Sequence, residues 1–218
     1  MSEATLLISS KNYSSWSLRG FLLAKLSGID FVAESVALDD PRAHEELLMR
    51  TSSILVPCLL HGEVTVWDTL AIAEYLNEAF PKAQMLPKEV SARARCRSIS
   101  GEMHSGFAAL RSSLPMNLRF RKPGFTVWSS AQADIDRITT IWRECLHTWK
   151  GPFLFGKEPT IADAMYAPVV TRFISYDVAV GALCQDYCTT IMEWQPMQEW
   201  VADALEEPQE IIELDLDF

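Results

Sequence analysis

The chain has 218 residues, 49% of them hydrophobic and 22% charged, with a formal net charge of −10. This is globular composition that excludes a disordered chain, and its length suits one small and one medium domain with a sizeable core. The acidic surface repels phosphate backbones and argues against nucleic-acid binding, and no run of about 18 apolar residues reads as a membrane span.

In chain order, Thr5 to Ile8 reads as a buried strand, and the polar stretch Ser9 to Tyr13 leads into a helix near Ser15. Leu18, Leu22 and Leu26 recur at helical spacing, and Gly28 supplies a left-handed cap beside Ile29. A second strand is expected over Phe31 to Leu38, and a short helix over Arg42 to Arg50 opens at Asp39-Asp40-Pro41. Ile54 to Leu60 and Val64 to Trp67 read as two strands around the turn at His61-Gly62. Asp68 and Thr69 then start a helix carried by Leu70, Ile72, Ala73 and Leu76. The order is βαβαββα.

Two prolines, Pro81 and Pro87, bracket a linker. Beyond it the pattern is helical. One long helix carries Ile99, Met103, Phe107, Leu110 and Leu114 on a stripe that Pro115 ends. Ser129-x-x-Gln132 and Thr160-x-x-Asp163 are capping-box patterns opening two more helices, the second with Pro168 as an expected kink. Pro196 suits the first position of a last helix over Met197 to Leu205. The end, Glu210 to Phe218, alternates acidic and apolar residues and reads either as a segment packed on its own protein or as a partner-binding tail.

The N-terminus, Met1 to Thr5, lacks the basic and long apolar stretches of a secretory signal, so a cytoplasmic location is expected. Cys58, Cys96, Cys145, Cys184 and Cys188 are odd in number and lack CxxC spacing, which argues against a disulfide framework or a structural zinc, and no metal is expected.

Three local patterns bear on chemistry. In Tyr13 to Arg19, hydroxyls sit where a strand hands over to a helix, whose first N–H groups are open and whose dipole is positive there. That setting stabilises a thiolate, to which a serine adds one hydrogen bond; serines there also serve as plain caps. Val56-Pro57 at a strand entry is either a cis bond, leaving the Val56 backbone open to an extended peptide, or a trans edge proline. Asp68-Thr69 at a helix start suits the ammonium and carboxylate of an amino-acid end, or simply caps the helix.

The order and spacing of these motifs resemble the cytosolic glutathione transferase superfamily over nearly the whole chain. Ser14-Ser15-Trp16-Ser17-Leu18-Arg19, up to Gly28-Ile29-Asp30-Phe31, is similar to the zeta-class pattern SSCS-x-R…GI-D-[YF]. Asp68 to Leu76 matches the [EQ]-S-x-A-I-x-x-Y-L segment, and Thr160-Ile161-Ala162-Asp163 the family's [ST]-x-A-D box. Glu102 to Phe107 resembles the E-L-H-x-x-F segment of beta-class members.

The resemblance implies a thioredoxin-like domain over residues 1–81, an all-helical domain over 88–218, a homodimer, and glutathione as co-substrate. Glutathione would lie along Leu55, Val56 and the cis Pro57, with its γ-glutamyl end at Asp68 and Thr69. Ser14 would hold the sulfur, with Ser15 as the substitute, and Trp16, His104, Phe107 and Arg111 would form the second-substrate pocket. The implied activity is conjugation of the thiolate to a hydrophobic electrophile; a glutathione-dependent isomerase and a non-catalytic scaffold are the alternatives. Trp16 stands where zeta-class members have cysteine, which weighs against the isomerase, and a cysteine near the first helix, as in beta and omega classes, is absent.

Residue by residue, His104 is a candidate to orient or deprotonate a thiol or a partly buried structural histidine. Arg19 is expected in an ion pair or interface, Arg111 on a solvated face or against an anionic substrate, and Cys58 as a small buried hydrophobe.

Overall fold

The computed structural model describes residues 4–36 and 41–208. The expected tail pattern over 210–218 and the end of the second strand fall outside them. The N-terminal part is β1 (Ala4–Ile8), α1 (Ser15–Ser27), β2 (Phe31–Ser35), α2 (Pro41–Thr51), β3 (Cys58–His61), β4 (Val64–Trp67) and α3 (Thr69–Ala79). The sheet order is β2-β1-β3-β4, with β1 parallel to β2 and antiparallel to β3, and β3 antiparallel to β4. This is the βαβαββα order read from the sequence. A single 3-10 turn at Pro81–Ala83 leads to an all-helical part.

That part comprises α4 (Val90–Ser105), α5 (Ala108–Ser113), α6 (Ser129–Trp149), α7 (Ile161–Ser175), α8 (Ala182–Glu193) and α9 (Gln195–Glu206). Helix α1 is buried on most of its circumference because it packs against α3 on one side and α7 on the other. One apolar core runs from Leu6 and Leu22 through Ile72 to Trp142 and Trp200, so both halves share it. Gly28 is the expected left-handed cap of α1, at φ 73°, its N–H on the Lys25 carbonyl. The Thr160–Asp163 capping box also forms: the Asp163 carboxylate accepts the Thr160 N–H at 2.8 Å, and further bonds arrive from Leu154 N–H and the Tyr187 hydroxyl.

Three expectations need correction. The long helix breaks before Pro115: α4 ends at Gly106, Phe107 takes a left-handed φ of 60°, and α5 restarts with its Leu110 N–H on Asp134 of α6. The Ser129 capping box does not form, because Trp128 takes the cap position and Ser129 is already helical. The third strand starts at Cys58 rather than Ile54; Ile54 and Leu55 are exposed loop residues ahead of Pro57. Helix α7 runs on across Pro168, which is buried.

Candidate active site

The start of α1, the loop before β3, the start of α3 and the end of α4 surround a cavity of about 370 Å³. Its walls are Trp16, then Leu55, Val56 and Pro57, then Asp68 and Thr69, then His104 and Ser105. Gly20 makes the first two segments meet. A side chain there would put its Cβ 2.6 Å from Pro57 Cβ, so glycine lets α1 lie directly on the proline.

Ser14 is the N-cap of α1. Its Oγ accepts the Ser17 N–H at 3.2 Å and lies 2.9 Å from Ser17 Oγ, which also takes the Ser9 N–H at 3.0 Å. Ser17 is fully buried, so the three serines form a closed hydroxyl chain under the helix start. The N–H groups of Ser15 and Trp16 and the Ser15 hydroxyl have no hydrogen-bond partner among the described residues. These are the open donors that a helix dipole directs at an anion. Neither Ser14 nor Ser15 is a wall of the cavity; both immediately precede Trp16, which is.

The Val56–Pro57 bond is cis. The Val56 backbone makes no hydrogen bond among the described residues, as strand pairing begins only at Cys58. Asp68 caps α3, its Oδ1 accepting Leu70 N–H at 2.8 Å, and it does so at φ 74°. A non-glycine residue held there costs about 1–3 kcal/mol, the kind of strain that clusters at functional sites.

His104 faces this helix start and not Ser14. Its Nε2 lies 3.0 Å from Asp68 Oδ2 and its Nδ1 3.3 Å from Thr69 Oγ1. Both ring nitrogens are thus engaged by the residue pair expected to hold an amino-acid end, and the ring meets Trp16 edge-on at 5.2 Å. Phe107 is 8% exposed and packs in the main core, and it does not line the cavity. The left-handed turn at its own position swings it inward.

Arg19 and Arg111 each place their guanidinium carbon 4.7 Å from the Trp16 ring centre. Arg19 is buried, donates to the carbonyls of Met165 and Ser15, and leaves Nη2 without a partner. Arg111 is half-buried, donates to the carbonyls of Met103 and His104, and leaves Nε without one. Arg172, also buried, donates to the carbonyls of Leu114 and Pro168. None of the three meets a carboxylate among the described residues, so the ion pair expected of Arg19 is absent, and Arg111 is no solvated side chain. Burial, then Arg172 and Arg111, holds the Arg19 guanidinium well below its usual range; burial, then Arg111, brings Arg172 down to about 10. Sequence reasoning missed Arg172 altogether. Its only signal was a charged residue inside an apolar helix.

Cys58, just after the cis proline, is buried, and burial pushes its thiol up to about 11. It is the small buried hydrophobe expected. Among the described residues no cluster of side chains is arranged to hold a metal, and no helix is long and apolar enough to cross a membrane.

A four-stranded βαβαββα unit presenting open helix amides, an open backbone at a cis proline and an acid–hydroxyl pair, joined to a helical domain, is a thioredoxin-like fold adapted to a peptide thiol. The chain belongs to the glutathione S-transferase family. The family's N-terminal domain model matches residues 13–79 and its C-terminal domain model residues 92–203, which makes glutathione the thiol concerned. The chain is similar to a probable maleylacetoacetate isomerase of Caenorhabditis elegans, 28% identical over 157 residues and 72% of each chain. Among solved structures it resembles a Burkholderia glutathione transferase homolog with bound glutathione: TM-score 0.72, 22% identity, 94% of this chain and 100% of that one. It also resembles a maleylacetoacetate isomerase from Anaeromyxobacter dehalogenans with dicarboxyethyl glutathione and citrate in its active site: TM-score 0.65, 23% identity, 95% and 97% covered.

Proposed function

We propose that the protein is a glutathione-dependent enzyme whose thiolate adds to the electron-poor double bond of a small carboxylate-bearing substrate. The sulfur bonds to one alkene carbon, and the electron pair moves onto the conjugated carbonyl as an enolate. Rotation about the former double bond, now single, and return of the electron pair expel the thiolate and give the geometric isomer, with glutathione unchanged. Protonation of the same enolate instead yields a stable conjugate. Isomerase and transferase therefore share one site and one first step, and we favour the isomerase.

The observation that carries this reading is the pair of guanidinium groups, Arg19 and Arg111, that flank the Trp16 ring, each with an unpartnered buried nitrogen and neither meeting a carboxylate among the described residues. Buried cations without counter-ions favour an anionic ligand. The relatives named as maleylacetoacetate isomerases, one of them holding a glutathione adduct with two added carboxylates, support the same choice. Conjugation of an apolar electrophile is the second reading, favoured by the broad apolar ring of Trp16 in the cavity wall.

In this account glutathione lies against Leu55, Val56 and Pro57, its γ-glutamyl end at Asp68 and Thr69, in a first domain over 1–81. Its sulfur lies at Ser14, which turns its O–H from Ser17 to the stronger, charged acceptor while Ser17 donates to Ser14 in its place. Ser15 is the alternative donor. Arg111, the least buried of the three arginines, meets a substrate carboxylate in the helical domain over 88–218. We also take the chain to be a homodimer: Met49, Val90 and Trp67 are large apolar side chains left 89%, 69% and 40% exposed.

The test is NMR of a cis-configured unsaturated dicarboxylate with a catalytic amount of glutathione. Conversion to the trans form without loss of glutathione, with a raised KM in Arg111→Ala, is expected. A stoichiometric adduct would replace the isomerase by the transferase. Failure to retain glutathione would leave a scaffold.

A further inference from the structure

The loop between β1 and α1, Ser9 to Tyr13, delivers Ser14, and the far end of the chain grips that loop. Glu207 lies one residue beyond the end of α9. Its Oε2 accepts the Ser10 hydroxyl at 2.7 Å and the Asn12 N–H at 3.0 Å, and its Oε1 accepts the Lys11 N–H at 2.9 Å. Two successive backbone amides and a hydroxyl converge on one half-buried carboxylate, the geometry of an anion nest. Helix α9 adds two more bonds to the same loop. Trp200 Nε1–H donates to the Lys11 carbonyl at 2.9 Å, and Lys11 Nζ pairs with Asp203 at 2.6 Å.

The loop's own bonds pass this constraint to the helix start. The Ser10 hydroxyl that donates to Glu207 also accepts the Tyr13 N–H at 3.3 Å, and the Ser10 carbonyl accepts the Ser14 N–H at 3.0 Å. Asn12, 1% exposed, fixes the other side: its Oδ1 accepts the N–H groups of Leu118 and Arg119, and its Nδ2 donates to Asn117.

We propose that Glu207 is a positioning residue: clasped by Ser10, Lys11 and Asn12, it holds the β1–α1 loop in the one conformation that aims Ser14 and the open α1 amides at the thiol. The inference rests on the sulfur lying at the start of α1, as proposed above. Glu207 touches no reacting atom and acts through the loop. An unclasped loop leaves two amides to water and lets Ser14 wander. Errors of about 1 Å in such a group cost roughly 100-fold in rate.

The test compares Glu207→Ala and Glu207→Gln with Glu206→Ala, an exposed neighbour that makes no side-chain hydrogen bond among the described residues. Thiolate absorbance of bound glutathione is titrated against pH, kcat and KM are separated, and amide hydrogen exchange is followed at Lys11 and Asn12. Glu207→Ala is expected to raise the bound-thiol pKa, to lower kcat about tenfold or more with a smaller change in the glutathione KM, and to speed exchange at both amides. Glu207→Gln recovers part of each effect, because its carboxamide oxygen still accepts two of the three donors. Glu206→Ala matches wild type. A Glu207→Ala protein with wild-type thiol titration and kcat, or with Lys11 and Asn12 still protected, overturns the proposal. A wild type with no thiolate signal at all sinks the catalytic reading instead, and the exchange data then decide the clasp by themselves.

Discussion

Replacing Ser14 by Ala removes two interactions that report separately. The first is structural: the Ser17 N–H loses its cap acceptor at 3.2 Å, and the buried Ser17 hydroxyl loses a neighbour at 2.9 Å. Loss of an N-cap serine costs about 0.5–2 kcal/mol, which for a chain of this size lowers Tm by roughly 1–8 °C. The second is chemical. A hydrogen bond to a charged acceptor contributes about 1.5–3 kcal/mol, and one pKa unit corresponds to about 1.4 kcal/mol. On the proposed placement of the sulfur, Ser14 and the open amides lower the pKa of the bound thiol, so the variant should raise it, by about 1–2 units. At neutral pH the thiolate fraction, and with it kcat/KM, then falls by at most roughly 10- to 100-fold, and by less the further the wild-type pKa lies below neutral. Thiolate absorbance across pH, at saturating glutathione, measures the shift directly. A bound-thiol pKa unchanged in Ser14→Ala but raised in Ser15→Ala would refute the assignment and transfer the role to the first residue of the helix.

Gly20→Ala gains helix propensity but forces a Cβ to within 2.6 Å of Pro57; we expect a net loss of about 1–3 kcal/mol and weaker glutathione binding in calorimetry, and a stabilised variant would contradict the close packing. Asp163→Ala leaves the N–H groups of Leu154 and Thr160 and the hydroxyls of Thr160 and Tyr187 without their buried acceptor. Urea unfolding should show a loss of about 3–5 kcal/mol at constant m, and a loss under about 1 kcal/mol would mean that the box is dispensable. Cys58, its thiol pushed up to about 11, stays neutral through pH 8. Alkylation there should be slow in the folded protein and become fast only in urea, whereas labelling at the rate of a free thiol would contradict its burial.

Much of this molecule is legible in local sequence because local physics fixes it. Ser14 before an apolar helix, Gly28 after it, and Thr160 with Asp163 three residues on are short-range signals, and each forms the expected cap. The break at Gly106–Phe107 escapes such reasoning, since the apolar stripe continues through it in register and a distant residue, Asp134 of α6, caps the restart. Ser129 misleads for the opposite reason: a valid local pattern loses to a helix that starts one residue earlier. At the site, the motifs at Val56-Pro57 and Asp68-Thr69 identify cavity walls, and so do Trp16 and His104. The His104 contact with Asp68 spans two domains, the guanidinium cluster draws on α1, α5 and α7, and Glu207 reaches Ser10 across 197 positions. No window of sequence contains such pairs; they arise only when the tertiary fold brings the elements together.

The account depends on where a bound sulfur goes, and a crystal structure of the complex with glutathione answers that. It should show the cysteinyl backbone paired with Val56, the γ-glutamyl end at Asp68 and Thr69, and the sulfur within hydrogen-bond reach of Ser14 Oγ, whose O–H has left Ser17. A tripeptide seated elsewhere, or a sulfur out of reach of both Ser14 and the open amides of α1, would contradict it.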